Sequence, residues 1–273
     1  MQLELVSFFE INSPLSEYAQ NVTSQHGEDG ITARIIELIQ PEHDYCVEFG
    51  AWDGVDCSNC CNLIINNAWH GVMIEGNPVR YQELLKTYAS NEKVKCVNKF
   101  VSWDGANSLD NILGEFDIPE NFSVLSVDID GNDYYIWESL KKYSPELVII
   151  EFNPTVPNDV IFVQDKSLNL HQGCSLLSLI ILGRKKGYEL VCCTGWNAFF
   201  VRSEKYEACG VPDNFISKLY SPLQDGRIFY GYDSSVLTVG IDRLMWKNGI
   251  ALSSADFQVL PESMRVFVDA QAQ

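Results

Sequence analysis

Tyr45-Cys46-Val47-Glu48-Phe49-Gly50-Ala51-Trp52-Asp53-Gly54 is an apolar strand that runs into a carboxylate and then a paired-glycine turn. Tyr45, Cys46, Val47 and Phe49 favour a buried strand, while Gly50 and Gly54 allow a sharp turn whose N–H groups can approach a ligand closely. Glu48 then faces the crevice at the carboxyl ends of the strands, where open α/β sheets bind ligands. The spacing departs from the dinucleotide fingerprint G-x-G-x-x-G, because counting from Gly50 places Trp52 where the middle glycine must lie against a pyrophosphate. A nucleotide cofactor without a pyrophosphate is therefore expected.

Outward from this stretch, Gly71-Val72-Met73-Ile74-Glu75-Gly76 is a second apolar run ending in a carboxylate, 27 positions after Glu48. That is where a doubly wound unit places its ribose-binding acid. Either Glu alone reads as a solvated strand terminus. Two such ends, each followed by glycine, read as a ligand site.

Strand-like and helix-like stretches alternate along the chain. The spacing predicts helices over 28–40, 58–67, 78–88, 134–143 and 174–186, and strands over 45–49, 71–75, 94–102, 123–127 and 147–152. Residues 188–193 and 198–202 flank Thr194-Gly195-Trp196-Asn197 as an antiparallel hairpin. The expected fold is α/β and Rossmann-like, a doubly wound, mostly parallel seven-stranded sheet with a terminal antiparallel hairpin strand. Residues 1–205 form the expected cofactor domain, with its core over about 22–203; 206–273 read as an irregular extension with one or two helices. The aromatics of the extension require packing on the core or on a partner chain, and self-association through it is an expectation.

Val124-Leu125-Ser126-Val127-Asp128-Ile129-Asp130-Gly131-Asn132-Asp133 delivers three carboxylates at the fourth strand end, and Glu151 with Asn153 follows at the fifth. Hard oxygen ligands converging from Asp130, Glu151 and Asn153 suit Mg²⁺ or a similar cation. Alternatively Asp128 holds a cofactor ammonium while Asp130 and Asp133 cap the next helix. The long connection from Asn153 to Gly173 reads as a substrate lid carrying His171, a candidate general base. His26 is the rival base, although Ser24-Gln25-His26-Gly27-Glu28-Asp29 also reads as a helix cap.

The chain has 273 residues, 46% hydrophobic and 21% charged, which supports a sizeable core. A net charge of −18 argues against a surface for nucleic-acid phosphates or anionic lipid. Nine cysteines, an odd number, mostly within apolar runs, read as reduced buried thiols. Met1 to Leu5 lack the start of a signal peptide, and no apolar run reaches the roughly 18 to 20 residues of a membrane span, so a cytoplasmic protein without membrane insertion is expected.

In order and spacing, these landmarks resemble the FkbM-like branch of class I S-adenosylmethionine-dependent methyltransferases over about 22–203. The matching pieces are Ser24-Gln25 with Gly27-Glu28-Asp29, Val47-Glu48-Phe49-Gly50-Ala51 with Gly54, Ile74-Glu75-Gly76, Asp128 with Asp130-Gly131, Ile150-Glu151-Phe152, and Gly187-Tyr188 through Asn197-Ala198 to Val201. The resemblance implies that Glu48 and the turn from Gly50 through Ala51 to Gly54 hold the methionine part of S-adenosylmethionine, with Gln25 nearby. It implies Glu75 on the ribose, Ser102 and Trp103 near adenine, and Asp128 close to the methyl donor, with Asp130 and His171 from the strand-end and loop readings as the other candidate catalytic residues. Family members whose acceptors are known typically methylate hydroxyl oxygens on sugars or polyketide products, some with a divalent metal, so the resemblance implies O-methylation of a hydroxyl on a sugar or other small metabolite. The chain departs from the family at Cys57-Ser58-Asn59-Cys60-Cys61 and in its extension. Two rivals stand beside this reading: a nucleotide-sugar glycosyltransferase using Asp128 and Asp130 with a metal, and a cofactor-binding protein without turnover.

Overall fold

Five residues, Tyr45–Phe49, form β1, and all but the first are buried. The structure, a computed structural model, describes residues 13–221, 227–232, 235–239, 251 and 253–264. Around β1 the chain builds β2 (His70–Ile74), β3 (Val94–Val97), β4 (Val124–Val127), β5 (Leu147–Glu151), β6 (Tyr188–Cys193) and β7 (Asn197–Arg202). Their order in the sheet is β3-β2-β1-β4-β5-β7-β6. Pairings β1–β2, β2–β3, β1–β4 and β4–β5 are parallel, and β7 runs antiparallel to both β5 and β6. This is the expected Rossmann-like sheet.

The helices begin and end where local chemistry permits. α1 (Glu28–Ile39) turns toward the core the face that carries Ile31, Ile35 and Ile39, and stops at Gln40, whose φ of 46° precedes Pro41. α2 (Cys61–Asn67) and α3 (Pro78–Thr87) connect β1 to β2 and β2 to β3. α3 has Pro78 at its first position, and the Asn77 side chain accepts from the N–H groups of Val79 and Arg80. α4 (Leu109–Leu113) and α5 (Asp133–Ser139) flank β4. α6 (Leu176–Lys185) is capped by Ser175, and α7 (Ile216–Leu219) is a single turn. The core holds Phe49, Met73, Ile149, Trp137 and Phe200, all inaccessible to solvent.

By contacts the chain divides into two compact units, 1–221 and 222–273. Residues 206–221 thus go with the first unit: Cys209, Val211 and Leu219 join its core, and Tyr220 packs edge-on against Phe152 at 4.9 Å. The second unit contains a hairpin, β8 (Arg227–Tyr230) with β9 (Val236–Val239), where the sequence suggested only helices. Gln258 clamps it, accepting from Val236 N–H at 2.9 Å and donating to Val236 C=O at 2.6 Å. All nine cysteines are unpaired, and only Cys57 is exposed. Among the described residues no helix is long and apolar enough to cross a membrane.

Candidate active site

The strand order reverses between β1 and β4, because the chain leaves β1 toward β2 and β3 and then returns to β4 on the other side. Ligand crevices of open α/β sheets form at that point, beyond the carboxyl ends of the strands. A cleft of about 990 Å³ opens there. Seven of its lining side chains are carboxylates, while Lys99, paired with Glu115, is the single lysine or arginine.

Glu48 and Glu75 both line the cleft, with 4% and 8% of their surface exposed. The Glu48 carboxylate accepts from the Ser58 hydroxyl and from Asn59 N–H at 2.8 Å, and so fixes the turn into α2. Burial pushes its pKa up, against those hydrogen bonds. Glu75 joins two loops: one oxygen accepts from Trp52 N–H at 2.8 Å, the other from Asn77 N–H at 2.6 Å. Each oxygen keeps a lone pair for a ligand hydroxyl.

Gly50, Ala51 and Trp52 line the cleft, and Gly54 does not. Gly54 has φ 81° and lies against the Leu84 and Tyr88 side chains, each 2.6 Å from where a Cβ would stand, so it is a packing glycine. Gln25 and His26 also reach the cleft. The segment around them is tied to the start of α1: the Ser24 hydroxyl accepts from Asp29 N–H at 3.0 Å, and the Asp29 carboxylate accepts from the N–H groups of Val22, Thr23 and Ser24 at 2.7–2.8 Å. Glu28 accepts from Thr194 Oγ1 at 2.8 Å and Asn197 Nδ2 at 3.2 Å, tying α1 to the β6–β7 turn.

At the other end of the cleft, carboxylate oxygens of Asp128, Asp130 and Glu151 lie within 4.8 Å of one another. Asp130 is exposed, with φ 57°. Asp133, buried beside them, accepts from Ile129 N–H and Gly131 N–H, both at 2.9 Å, and so caps the turn into α5. Asn153 is spent on its own loop, with its amide donating to Gln172 C=O and its oxygen accepting from Thr155, which leaves Asp128 as the third oxygen donor beside Asp130 and Glu151. The 154–173 connection lies along this end. Gln164, 1% exposed, stitches it together by accepting from the N–H groups of Gln172 and Gly173 and donating to Asn132. His171 lines the cleft with Nδ1 at 2.9 Å from the Asp130 carbonyl. A carbonyl only accepts, so Nδ1 carries a proton, and in the neutral imidazole Nε2 is then the acceptor.

Burial, then the neighbouring Asp133 and Asp130, pushes Asp128 well above the usual carboxylate range; burial, then Asp128, does the same to Glu151. A carboxylate whose pKa is raised on folding holds its proton in the folded state after the unfolded chain has lost it. Its contribution is therefore complete below the ordinary value of about 4 and is lost as pH rises through the raised value. Thermal melts of the ligand-free protein should fall as pH rises from about 4 through the raised value and level off beyond it, and Glu151→Gln should flatten the slope. An unchanged slope in the variant would mean that Glu151 does not carry the strain.

Ser102 and Trp103 lie outside the cleft lining; β3 ends at Val97, so Lys99, Phe100 and Val101 fill the wall instead. Trp103 packs against Tyr135 at 6.3 Å, with the Lys166 ammonium 4.7 Å from the Tyr135 ring. Two lining residues that local patterns did not single out are Trp196 and Asn197, brought in by the pairing of Asn197 with Glu151. The motif on either side of them was legible, but the side on which the hairpin docks was not.

No family model matches the chain, and no curated protein matches it. Among solved structures, a SAM-dependent methyltransferase from Aquifex aeolicus aligns over 62% of this chain and 87% of its own at 9% identity, TM-score 0.38. An O-methyltransferase family protein from Burkholderia thailandensis aligns over 64% and 57% at 10% identity, TM-score 0.40. TYW2 of M. jannaschii, in complex with AdoMet, aligns over 67% and 80% at 16% identity, TM-score 0.35. At these values the likenesses carry no functional argument, which rests on the cleft.

Proposed function

We propose that the chain is an S-adenosylmethionine-dependent methyltransferase that methylates a hydroxyl of a sugar or other small metabolite. The observation that carries this reading is the acidic lining of the cleft: seven carboxyl groups against one paired lysine, with a bound cation favouring the ionised form of those whose pKa burial raises. Low-dielectric walls focus such a field, which attracts a cationic cofactor and opposes a diphosphate. S-adenosylmethionine carries a sulfonium and an ammonium. A nucleotide-sugar reading needs cations for its diphosphate and leaves Glu48 and Glu75 without a role. The FkbM-like motifs of the sequence favour the same choice.

The bound cofactor supplies an activated methyl group. Glu75 would hold it through ribose hydroxyls, and Gly50 to Trp52 would form the adjoining wall. At the acceptor end His171 Nε2 takes the proton that the hydroxyl loses, its tautomer set by the Asp130 carbonyl. The remaining contribution is alignment, which supplies much of the rate in a transfer from an already activated donor. Asp128, Asp130 and Glu151 offer hard oxygens of the kind Mg²⁺ takes, and as metal ligands they would lower the cost of ionising the hydroxyl.

Calorimetry is expected to show saturable binding of S-adenosylmethionine and none of a uridine diphosphate sugar with Mg²⁺. The opposite pattern would overturn the reading in favour of glycosyl transfer. Incubation with hydroxylated metabolites should yield S-adenosylhomocysteine, and binding without product would leave a cofactor-binding protein. Exhaustive chelation should lower turnover and added Mg²⁺ restore it; turnover that survives chelation removes the metal.

A further inference from the structure

Trp52 stands in a backbone region that bulky residues rarely adopt, with φ 49°. Its indole lines the cleft and is 49% exposed, so burial does not hold it there. Two contacts fix the residue: its backbone N–H donates to Glu75, and the Arg80 guanidinium stacks on its ring 4.1 Å from the centroid. Arg80 is not itself part of the cleft lining. It projects from the first turn of α3, paired with Glu83 at 2.7 Å, and its own N–H is capped by Asn77. Asn77 N–H in turn donates to the second oxygen of Glu75. Glu75, Trp52, Arg80 and Asn77 thus close a ring, in which the guanidinium stack is the one link not made by a hydrogen bond to backbone.

We infer that Arg80 is a positioning residue for the cofactor: it holds the Trp52 indole in the cleft wall, and through the strained Trp52 backbone it holds the Glu75 carboxylate in place. The inference rests on the proposed cofactor reading. Cation–π stacking on Trp is the strongest of its kind, and strain at a functional position persists where surrounding contacts over-determine it.

The sign of the effect separates positioning from charge. Arg80 is a cation behind the wall of a cleft that binds a cation, so by charge alone its removal would tighten S-adenosylmethionine. Positioning predicts the reverse. Calorimetry on the wild-type chain comes first, and absence of binding there would fell the cofactor reading itself, and the inference with it. Given wild-type binding, Arg80→Ala should weaken S-adenosylmethionine about tenfold, and Arg80→Met, which keeps the stem without the cation, should do nearly the same. Arg80→Lys should recover most of the loss. Trp52→Ala should weaken binding at least as much, and the double variant no further, since both changes break one link. With 5-fluorotryptophan incorporated, Arg80→Ala should shift the resonance that disappears in Trp52→Phe, a readout that needs no ligand. Tighter binding in Arg80→Ala, additive losses in the double variant, or an unmoved Trp52 resonance would each overturn the inference. If Arg80→Ala does not melt cooperatively, Arg80→Met and Arg80→Lys carry the comparison.

Discussion

Replacing Gly50 by alanine is expected to destabilise the protein by about 2–5 kcal/mol and to abolish cofactor binding. Gly50 has φ 76°, and a Cβ there would lie 1.8 Å from the Asp128 carbonyl oxygen and 3.0 Å from its carbon. A left-handed conformation costs a non-glycine residue about 1–2 kcal/mol, and forcing extra atoms into a packed site adds about 1–3. Neither obstacle can rotate aside, because both atoms are backbone and β1 and β4 are paired in register up to Phe49 and Val127. Relief therefore requires the strand ends to part, which displaces Asp128 from the cleft. Gly54→Ala is the informative contrast: its obstacles are the Leu84 and Tyr88 side chains, which can shift, so stability should fall while cofactor affinity is retained. Urea unfolding and calorimetry on both variants decide the matter. A Gly50→Ala protein with wild-type midpoint and affinity would show that β1 and β4 do not need this close approach.

What the sequence disclosed follows from which interactions are local. Glu48, Glu75, Asp128 and Glu151 were legible because each ends a short apolar run, and strands of a buried parallel sheet place such ends on one side. The start of α3 was legible for the same reason, from Pro78 at its first position, whereas Ser175, read as part of a helix over 174–186, is the residue that caps α6. Trp196 and Asn197 were not, because their place in the cleft depends on β7 pairing antiparallel with β5, some 45 residues away in sequence. Ser102 and Trp103 were misplaced for a smaller cause: β3 stops at Val97, where the sequence continued it to Ser102, and Phe100 and Val101 line the cleft while Ser102 and Trp103 do not. Asn153 carried the right chemistry for a metal ligand, but an Asx turn with Thr155 takes its oxygen. α4, five residues long, is too short to show a period, and the β8–β9 hairpin was obscured by prolines on its near side.

Glu75→Ala is expected to weaken S-adenosylmethionine binding by about 1.5–3 kcal/mol, the range for hydrogen bonds to a charged group, or about ten- to 150-fold. The loss has two sources that the geometry allows to be separated. One is the ligand's own: ribose hydroxyls lose their acceptor. The other is internal, since the N–H groups of Trp52 and Asn77, at 2.8 and 2.6 Å from the carboxylate, both lose theirs, and the wall they shape can loosen. Glu75→Gln does not restore the wall, because an amide presents one oxygen and one NH₂ to two N–H donors and so sets donor against donor at one of them. Its affinity should therefore fall close to that of Glu75→Ala. A cofactor analogue lacking a ribose hydroxyl isolates the first source: it should bind more weakly to the wild type, yet suffer little further loss in Glu75→Ala, where the partner of that hydroxyl is already gone. Equal penalties for the missing hydroxyl in both proteins would place the ribose elsewhere and leave Glu75 as a brace between two loops. Unchanged affinity in a Glu75→Ala protein that still melts cooperatively would remove the end of β2 from the cofactor site altogether.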